Sequence, residues 1–123
     1  ATRDEIHSPG ASYAAALTGD NNQWRDAQFC EYGNARMIRT RQYKLIRRYL
    51  CAGRRWPDEF YDIEAEPRET RNCIDDPALA PIIAKLGRRL DEHFDRYEIP
   101  ARSGKAIERQ PVCSEDQPWL RAV

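Results

Sequence analysis

The feature that most constrains the fold is an apolar stripe in the last third of the chain. Between positions 77 and 97, apolar residues recur at steps of three and four, at Leu79, Ile82, Ile83, Leu86, Leu90, Phe94 and Tyr97. This spacing predicts one long amphipathic helix over about 77–97, with Asp76 as its N-cap and an end before Pro100. Pro81 either distorts the opening turns or marks a later start. Such a stripe has to be buried against another element.

The natural partner for this stripe lies earlier in the chain, where the apolar period changes from three or four to two. Four segments alternate in this way, AQFCEYG (27–33), ARMIRT (35–40), YKLIRRYL (43–50) and EFYDI (59–63). Gly33-Asn34 is typical of a tight turn between antiparallel strands. The sequence therefore predicts an α+β fold, with a three- to four-stranded antiparallel sheet packed against one long C-terminal amphipathic helix. We expect residues 1–26 to form a lead-in, residues 27–97 to form the sheet and the helix, and residues 98–123 to form an extended tail.

Composition and motifs exclude several functions. Twenty basic residues balance 20 acidic ones, unlike the basic excess of most nucleic-acid binders. There is no long apolar run that could cross a membrane and no recognisable signal peptide. The four cysteines lack CxxC spacing, so we predict free, buried thiols and no metal site, with one disulfide still open. The compartment stays undecided. His93 lies near the helix stripe, where a structural role is expected, and we predict no catalytic residue.

The segment between Glu31 and Asp58 holds eight positive residues and no carboxylate. Three interpretations fit this pattern: a surface for nucleic acid, a site for a smaller anion, or ordinary strands with solvated arginines. Tyrosines interleave with the charges, as they do in proteins that stack the bases of single-stranded nucleic acid on aromatic rings. They are also what the β-propensity of a half-buried sheet favours.

The order of three motifs carries a family resemblance. WRDAQFCEYG, RMIRTRQYKLIRR and EFYDIEAEPRETRN follow one another as in the C-terminal subdomain of the formylglycine-dependent, arylsulfatase-like sulfatases. The matching positions are Arg36, Arg39, Thr40, Tyr43, Lys44, Leu45, Ile46, Glu59, Tyr61, Asp62, Pro67, Glu69 and Asn72. Weaker matches at Gly10, Ser12, Leu17 and Gly19 resemble the segment that closes the catalytic domain. Phe60, Glu66 and Cys73 depart from the family pattern.

This resemblance implies that residues 1–26 correspond to the end of a sulfatase catalytic domain and that the rest is a non-catalytic subdomain. It would stabilise the catalytic domain, in cis or in trans, and could border the cleft for the sulfate ester. The parent enzyme would use calcium and a formylglycine made within C/S-x-P-x-R. That motif is missing from this sequence. The chain is therefore not expected to be active alone, and it is expected to carry no cofactor itself.

Tyr32 and Arg36 flank the first turn, and we predict any substrate contact there, because loops carry function more often than strands do. An arginine can grip a sulfate bidentately. The alternative function is a stand-alone module that binds a sulfated glycan or nucleic acid through Arg36, Arg39, Lys44 and Arg48.

Overall fold

The computed structural model describes residues 9–10, 14–19 and 25–109. Its strands are β1 (Ala27–Tyr32), β2 (Ala35–Thr40), β3 (Tyr43–Arg48) and β4 (Glu59–Asp62). A short helix α1 (Ala14–Leu17) precedes them, and the long helix α2 (Ala80–Tyr97) follows. The strands form one antiparallel sheet in the order β1-β2-β3-β4, as expected for a meander. The predicted α+β fold is confirmed.

The sheet register follows from the alternation in the sequence. Phe29 pairs with Ile38, Ile38 with Leu45, and Leu45 with Phe60, so one apolar row crosses all four strands. Helix α2 packs on β2 and β3 over this row and contributes Leu86 and Leu90 to a fully buried core. We call this side of the sheet the helix face and the other side the open face. Gly33 turns the first hairpin with φ +55°, as predicted for a tight turn.

Helix α2 begins three residues later than the sequence pattern predicted. The carboxylate of Asp76 accepts a hydrogen bond from the backbone N–H of Ala78, 2.9 Å away, and so caps a preceding turn and not the helix itself. Pro81 lies in the first turn of the helix, where its missing N–H leaves no bond unmade. The later start that Pro81 could mark is the one observed. The predicted end before Pro100 is confirmed.

Part of the segment predicted as an extended tail is folded. Pro100–Arg102 and Gly104–Arg109 form two short 3-10 helices, η1 and η2. Gly104 is buried and lies so close to the first hairpin that a Cβ atom there would be 2.1 Å from the carbonyl oxygen of Gly33. The remainder, 110–123, lies outside the described residues, as does most of the lead-in 1–26.

Candidate functional site

Arg36 occupies the helix face beside the first hairpin, in a buried ion cluster. Its guanidinium donates from Nε to Glu31 Oε1 at 2.7 Å and from Nη2 to Glu98 Oε1 at 2.7 Å. Nη2 also donates to the hydroxyl of Ser103 at 3.1 Å. Only 2 % of Arg36 is exposed. We call Glu31, Arg36, Glu98 and Ser103 the Arg36 cluster, and it joins the sheet to the segment that follows α2.

The electrostatics of this cluster hold its charges in place. Burial favours a lower pKa for Arg36, but hydrogen bonds and charge attraction from Glu31 and Glu98 outweigh burial and raise it. The hydrogen bond from the Ser103 hydroxyl, together with Arg36, lowers the pKa of Glu98 below its ordinary value. The guanidinium also lies over the ring of Phe94, 4.1 Å from its centre. These contacts account for a buried arginine without any ligand.

The two residues predicted to contact substrate do not come together. Tyr32 lies on the open face and is 87 % exposed, whereas Arg36 points to the helix face. The two residues are near each other in the sequence because both flank the first turn. Their side chains lie on opposite faces of the sheet, because successive positions of a strand alternate between the faces. A substrate contact at either residue stays a prediction. For Arg36 it would require displacing a carboxylate of the cluster.

Within the described part of the chain, four of the eight cations in the basic stretch pair with carboxylates. Besides Arg36, Lys44 pairs with Glu69, Arg47 with Asp91 at 2.7 Å, and Arg48 with Glu59. Three of the four residues expected to bind a polyanion in a stand-alone module are therefore already engaged. The partners come from β4, from α2 and from the loop after β4, and their spacing in the sequence gave no signal of these pairs.

The open face carries a second group of interacting side chains around a cavity of about 430 Å³. Its lining comprises Asn34, Arg48, Trp56, Pro57, Glu59, Tyr61 and Asn72. Strands β3 and β4 supply Arg48, Glu59 and Tyr61, and the loop between these strands supplies Trp56 and Pro57. We call this the Trp56 pocket. Sequence analysis assigned its loop no role, because a single tryptophan in a turn-rich segment has no diagnostic spacing.

Hydrogen bonds fix the polar wall of the Trp56 pocket. Arg48 Nε donates to Glu59 Oε1 at 3.0 Å, and the Tyr61 hydroxyl donates to Glu59 Oε2 at 2.7 Å. The hydrogen bond to Glu59 raises the pKa of Tyr61 to about 12. Burial works to raise the pKa of Glu59, but its bonds from Arg48 and Tyr61 prevail and lower it. Both groups keep their charge states near neutral pH, so the wall is a fixed pattern of donors and acceptors.

Between this pocket and β1, the open face presents an apolar row. Cys30 pairs with Met37 across β1 and β2, and Met37 pairs with Ile46 across β2 and β3. Cys30 is exposed, and the other two side chains are partly exposed. Cys30 thus departs from the buried thiol predicted for it, because the side chain points away from the helix. Cys51 and Cys73 are also free and only partly buried, and Cys113 lies outside the described residues.

Within residues 9–10, 14–19 and 25–109, no three acidic, histidine or cysteine side chains form a group that could hold a metal ion. Among the helices in the described ranges, none has the length and apolar character needed to cross a membrane.

The fold is similar to part of two solved structures. The structure of BT4656 in complex with its substrate D-glucosamine-2-N,6-O-disulfate superposes with a TM-score of 0.63 and 27% identity, over 80% of this chain and 21% of that one. The structure of BT1596, a 2-O GAG sulfatase, gives a TM-score of 0.60 and 26% identity, over 83% of this chain and 23% of that one. The chain thus spans less than a quarter of the length of each of these structures.

These similarities place the chain in the class of sulfatase C-terminal parts. Residues 4–96 match the family model described as N-sulphoglucosamine sulphohydrolase, C-terminal, and the chain belongs to that family. None of the curated proteins compared with the chain matches it. The resemblance drawn from the three sequence motifs is confirmed.

Proposed function

We propose that this chain is the non-catalytic part of a sulfuric ester hydrolase, that it stabilises the catalytic domain through its open face, and that it borders the substrate cleft. The observation that carries the proposal is the apolar row of Cys30, Met37 and Ile46. One face of the sheet is buried under α2, but this row on the other face keeps contact with solvent. Sheets with one solvated face usually present polar side chains there.

Large apolar side chains elsewhere on the surface support a partner. Tyr32, Leu50 and Trp56 are all more than half exposed, and all three lie on the open face or in the loop beside it. Exposed apolar residues that gather on one side of a small domain usually mark an interface. In BT4656 and BT1596 more than three quarters of the chain lies outside the part similar to this one, and a partner of that size would cover such a face.

The chemistry of ester hydrolysis belongs to the catalytic domain in this proposal. Calcium and formylglycine, implied by the sulfatase resemblance, would both be held there. This chain supplies packing surface and the Trp56 pocket. The engagement of Arg36, Lys44 and Arg48 in internal ion pairs disfavours the stand-alone polyanion module, because a polyanion would have to compete with carboxylates already in contact.

The reactivity of Cys30 tests the proposed docking face. In the isolated 123-residue chain, Cys30 should react readily with iodoacetamide, since its side chain is exposed. In the native protein that contains this chain, the same thiol should be protected at least about tenfold, because burial excludes the reagent. Mass spectrometry of tryptic peptides identifies the labelled cysteine.

A matched control comes from Cys73, a free thiol in the segment after β4 that packs against the core and lies outside the apolar row. Its labelling rate should differ less between the two samples than that of Cys30. If Cys30 reacts equally fast in the isolated chain and in the native protein, the open face is not the docking surface.

A further inference from the structure

The Trp56 pocket has the composition of a small saccharide site. One aromatic ring, 53 % exposed, stands beside a polar wall in which Arg48, Glu59 and Tyr61 are joined by hydrogen bonds. Binding pockets for small molecules combine an apolar surface with a few fixed polar groups, and a volume of about 430 Å³ is in their usual range. A pyranose ring has the same division, with an apolar C–H face and a rim of hydroxyls.

The polar wall suits hydroxyl groups better than a bare anion. Arg48 and Glu59 neutralise each other, so the lining as a whole has no net charge. An ionised pair can both donate to and accept from neighbouring hydroxyls, and its hydrogen bonds are stronger than those of neutral groups. An oxyanion alone would meet the Glu59 carboxylate together with the arginine.

A positive charge lies beside the Trp56 ring instead. The guanidinium of Arg54 lies over this ring, 5.6 Å from its centre, whereas Arg55 lines a neighbouring cavity together with Asp58 and Asp75. Arg54 is exposed, and in the described ranges it forms no ion pair with a carboxylate. A saccharide seated on Trp56 would therefore have the Arg54 guanidinium within reach of a sulfate substituent.

We propose that the Trp56 pocket binds one hexopyranose unit of a sulfated saccharide, with the sugar ring against Trp56, its hydroxyls on the Arg48–Glu59 pair and a sulfate group at Arg54. The pocket itself is defined by this chain alone. The ligand class rests on the proposed function, since sulfated sugars are what the structurally similar BT4656 and BT1596 are described as acting on.

The test is a titration of the isotopically labelled 123-residue chain, followed through the Trp56 indole N–H and the arginine side-chain resonances. Glucosamine-2-N,6-O-disulfate should shift these resonances with a Kd on the order of 1 mM, as expected for a half-open site. N-acetylglucosamine should bind at least about fivefold more weakly, and inorganic sulfate should leave the Trp56 indole unmoved.

Variants separate the two parts of the pocket. Trp56→Ala should abolish binding of the disulfated sugar, while Trp56→Phe should retain part of it because a flat ring remains. Arg54→Ala should erase the preference for the sulfated sugar over N-acetylglucosamine. Leu17→Ala removes a comparably exposed apolar side chain far along the chain and should change nothing, as should Arg41→Ala at another turn.

Two results would overturn the assignment. One is a titration in which no sugar shifts the Trp56 indole at concentrations about tenfold above the expected Kd. The other is an equal response to inorganic sulfate and to the disulfated sugar, which would mean an anion contact without a sugar site. Neither depends on Cys30 protection, so the pocket and the docking face can fail independently.

Discussion

At the scale of single residues, Arg36 was predicted as a ligand contact, and in the structure its guanidinium is held by carboxylates of the chain itself. Its guanidinium lies between Glu31 of the same hairpin and Glu98 just past α2, with 2.7 Å contacts to each. Removing one partner of a buried ion pair leaves the remaining charges without compensation. The cluster therefore fastens the helix end and the 3-10 segment to the sheet.

Replacing Arg36 by Met should lower the free energy of unfolding by about 3 kcal/mol, because Glu31 and Glu98 then lose their partner. The matched control is Arg48→Met, whose pair with Glu59 is more exposed to solvent and should contribute about 1 kcal/mol or less. Urea unfolding of both variants measures the difference. Equal losses for the two variants would show that burial of Arg36 has no energetic consequence.

His93 is the second residue with a testable role. Its ring stacks on Phe29 with centres 3.8 Å apart and an angle of 1° between planes, as a structural histidine should. Burial, with the charge of Arg25, lowers its pKa in the folded chain. As pH falls below the ordinary value of about 6.5, the unfolded chain takes up the proton first, so stability declines until the folded-state pKa is passed.

The melting temperature should therefore fall as the pH drops below the ordinary histidine pKa of about 6.5, and His93→Gln should flatten this part of the curve. The carboxylates Glu59 and Glu98, whose pKa values are lowered, lose stabilisation only at more acid pH and serve as the internal reference. Thermal melts in matched buffers measure this. A variant that keeps the full slope would exclude His93 as its source.

At the scale of elements, the contact between α2 and β3 explains a glycine in the middle of a helix. A Cβ atom on Gly87 would lie 2.3 Å from Nη2 of Arg47, which crosses the helix to reach Asp91 with two bonds of 2.7 Å. Alanine is otherwise favoured over glycine in a helix by about 1 kcal/mol. The absence of a side chain at Gly87 therefore leaves the space that the Arg47 guanidinium occupies.

Gly87→Ala should change the stability of the chain little, because the gain in helix propensity is offset by displacement of Arg47 from Asp91. In an Arg47→Ala background the same change should stabilise by about 1 kcal/mol. A double-mutant cycle by urea unfolding measures the coupling. Additive effects of the two substitutions would contradict the steric account.

The same scale shows what sequence patterns could and could not predict. Periods of two and of three to four residues determine which face each side chain takes, so an antiparallel sheet of three to four strands and the long helix packed on it could be predicted. The start of α2 was misplaced because Asp76 and Pro81 each signal a helix start. The Trp56 pocket could not be predicted, since it depends on the path of an irregular loop over β3 and β4.

At the scale of the whole molecule, a neutral net charge and a locally basic stretch are reconciled by pairing across elements. Arg36, Lys44, Arg47 and Arg48 find their carboxylates in other parts of the fold, from Glu59 to Glu98. The helix face is closed by the core and by two of these pairs, Arg36 with Glu98 and Arg47 with Asp91. What remains for a partner is the open face, with its apolar row and the pocket at its edge.

The most direct test of this account is the intact mass of the native protein that contains these peptides, measured after purification from its source. As the C-terminal part of a sulfatase, the chain should be found in a polypeptide or a tight complex several times heavier than its own 14.3 kDa. A native species of 14.3 kDa, monomeric and without a catalytic partner, would contradict the proposed role and leave a stand-alone module.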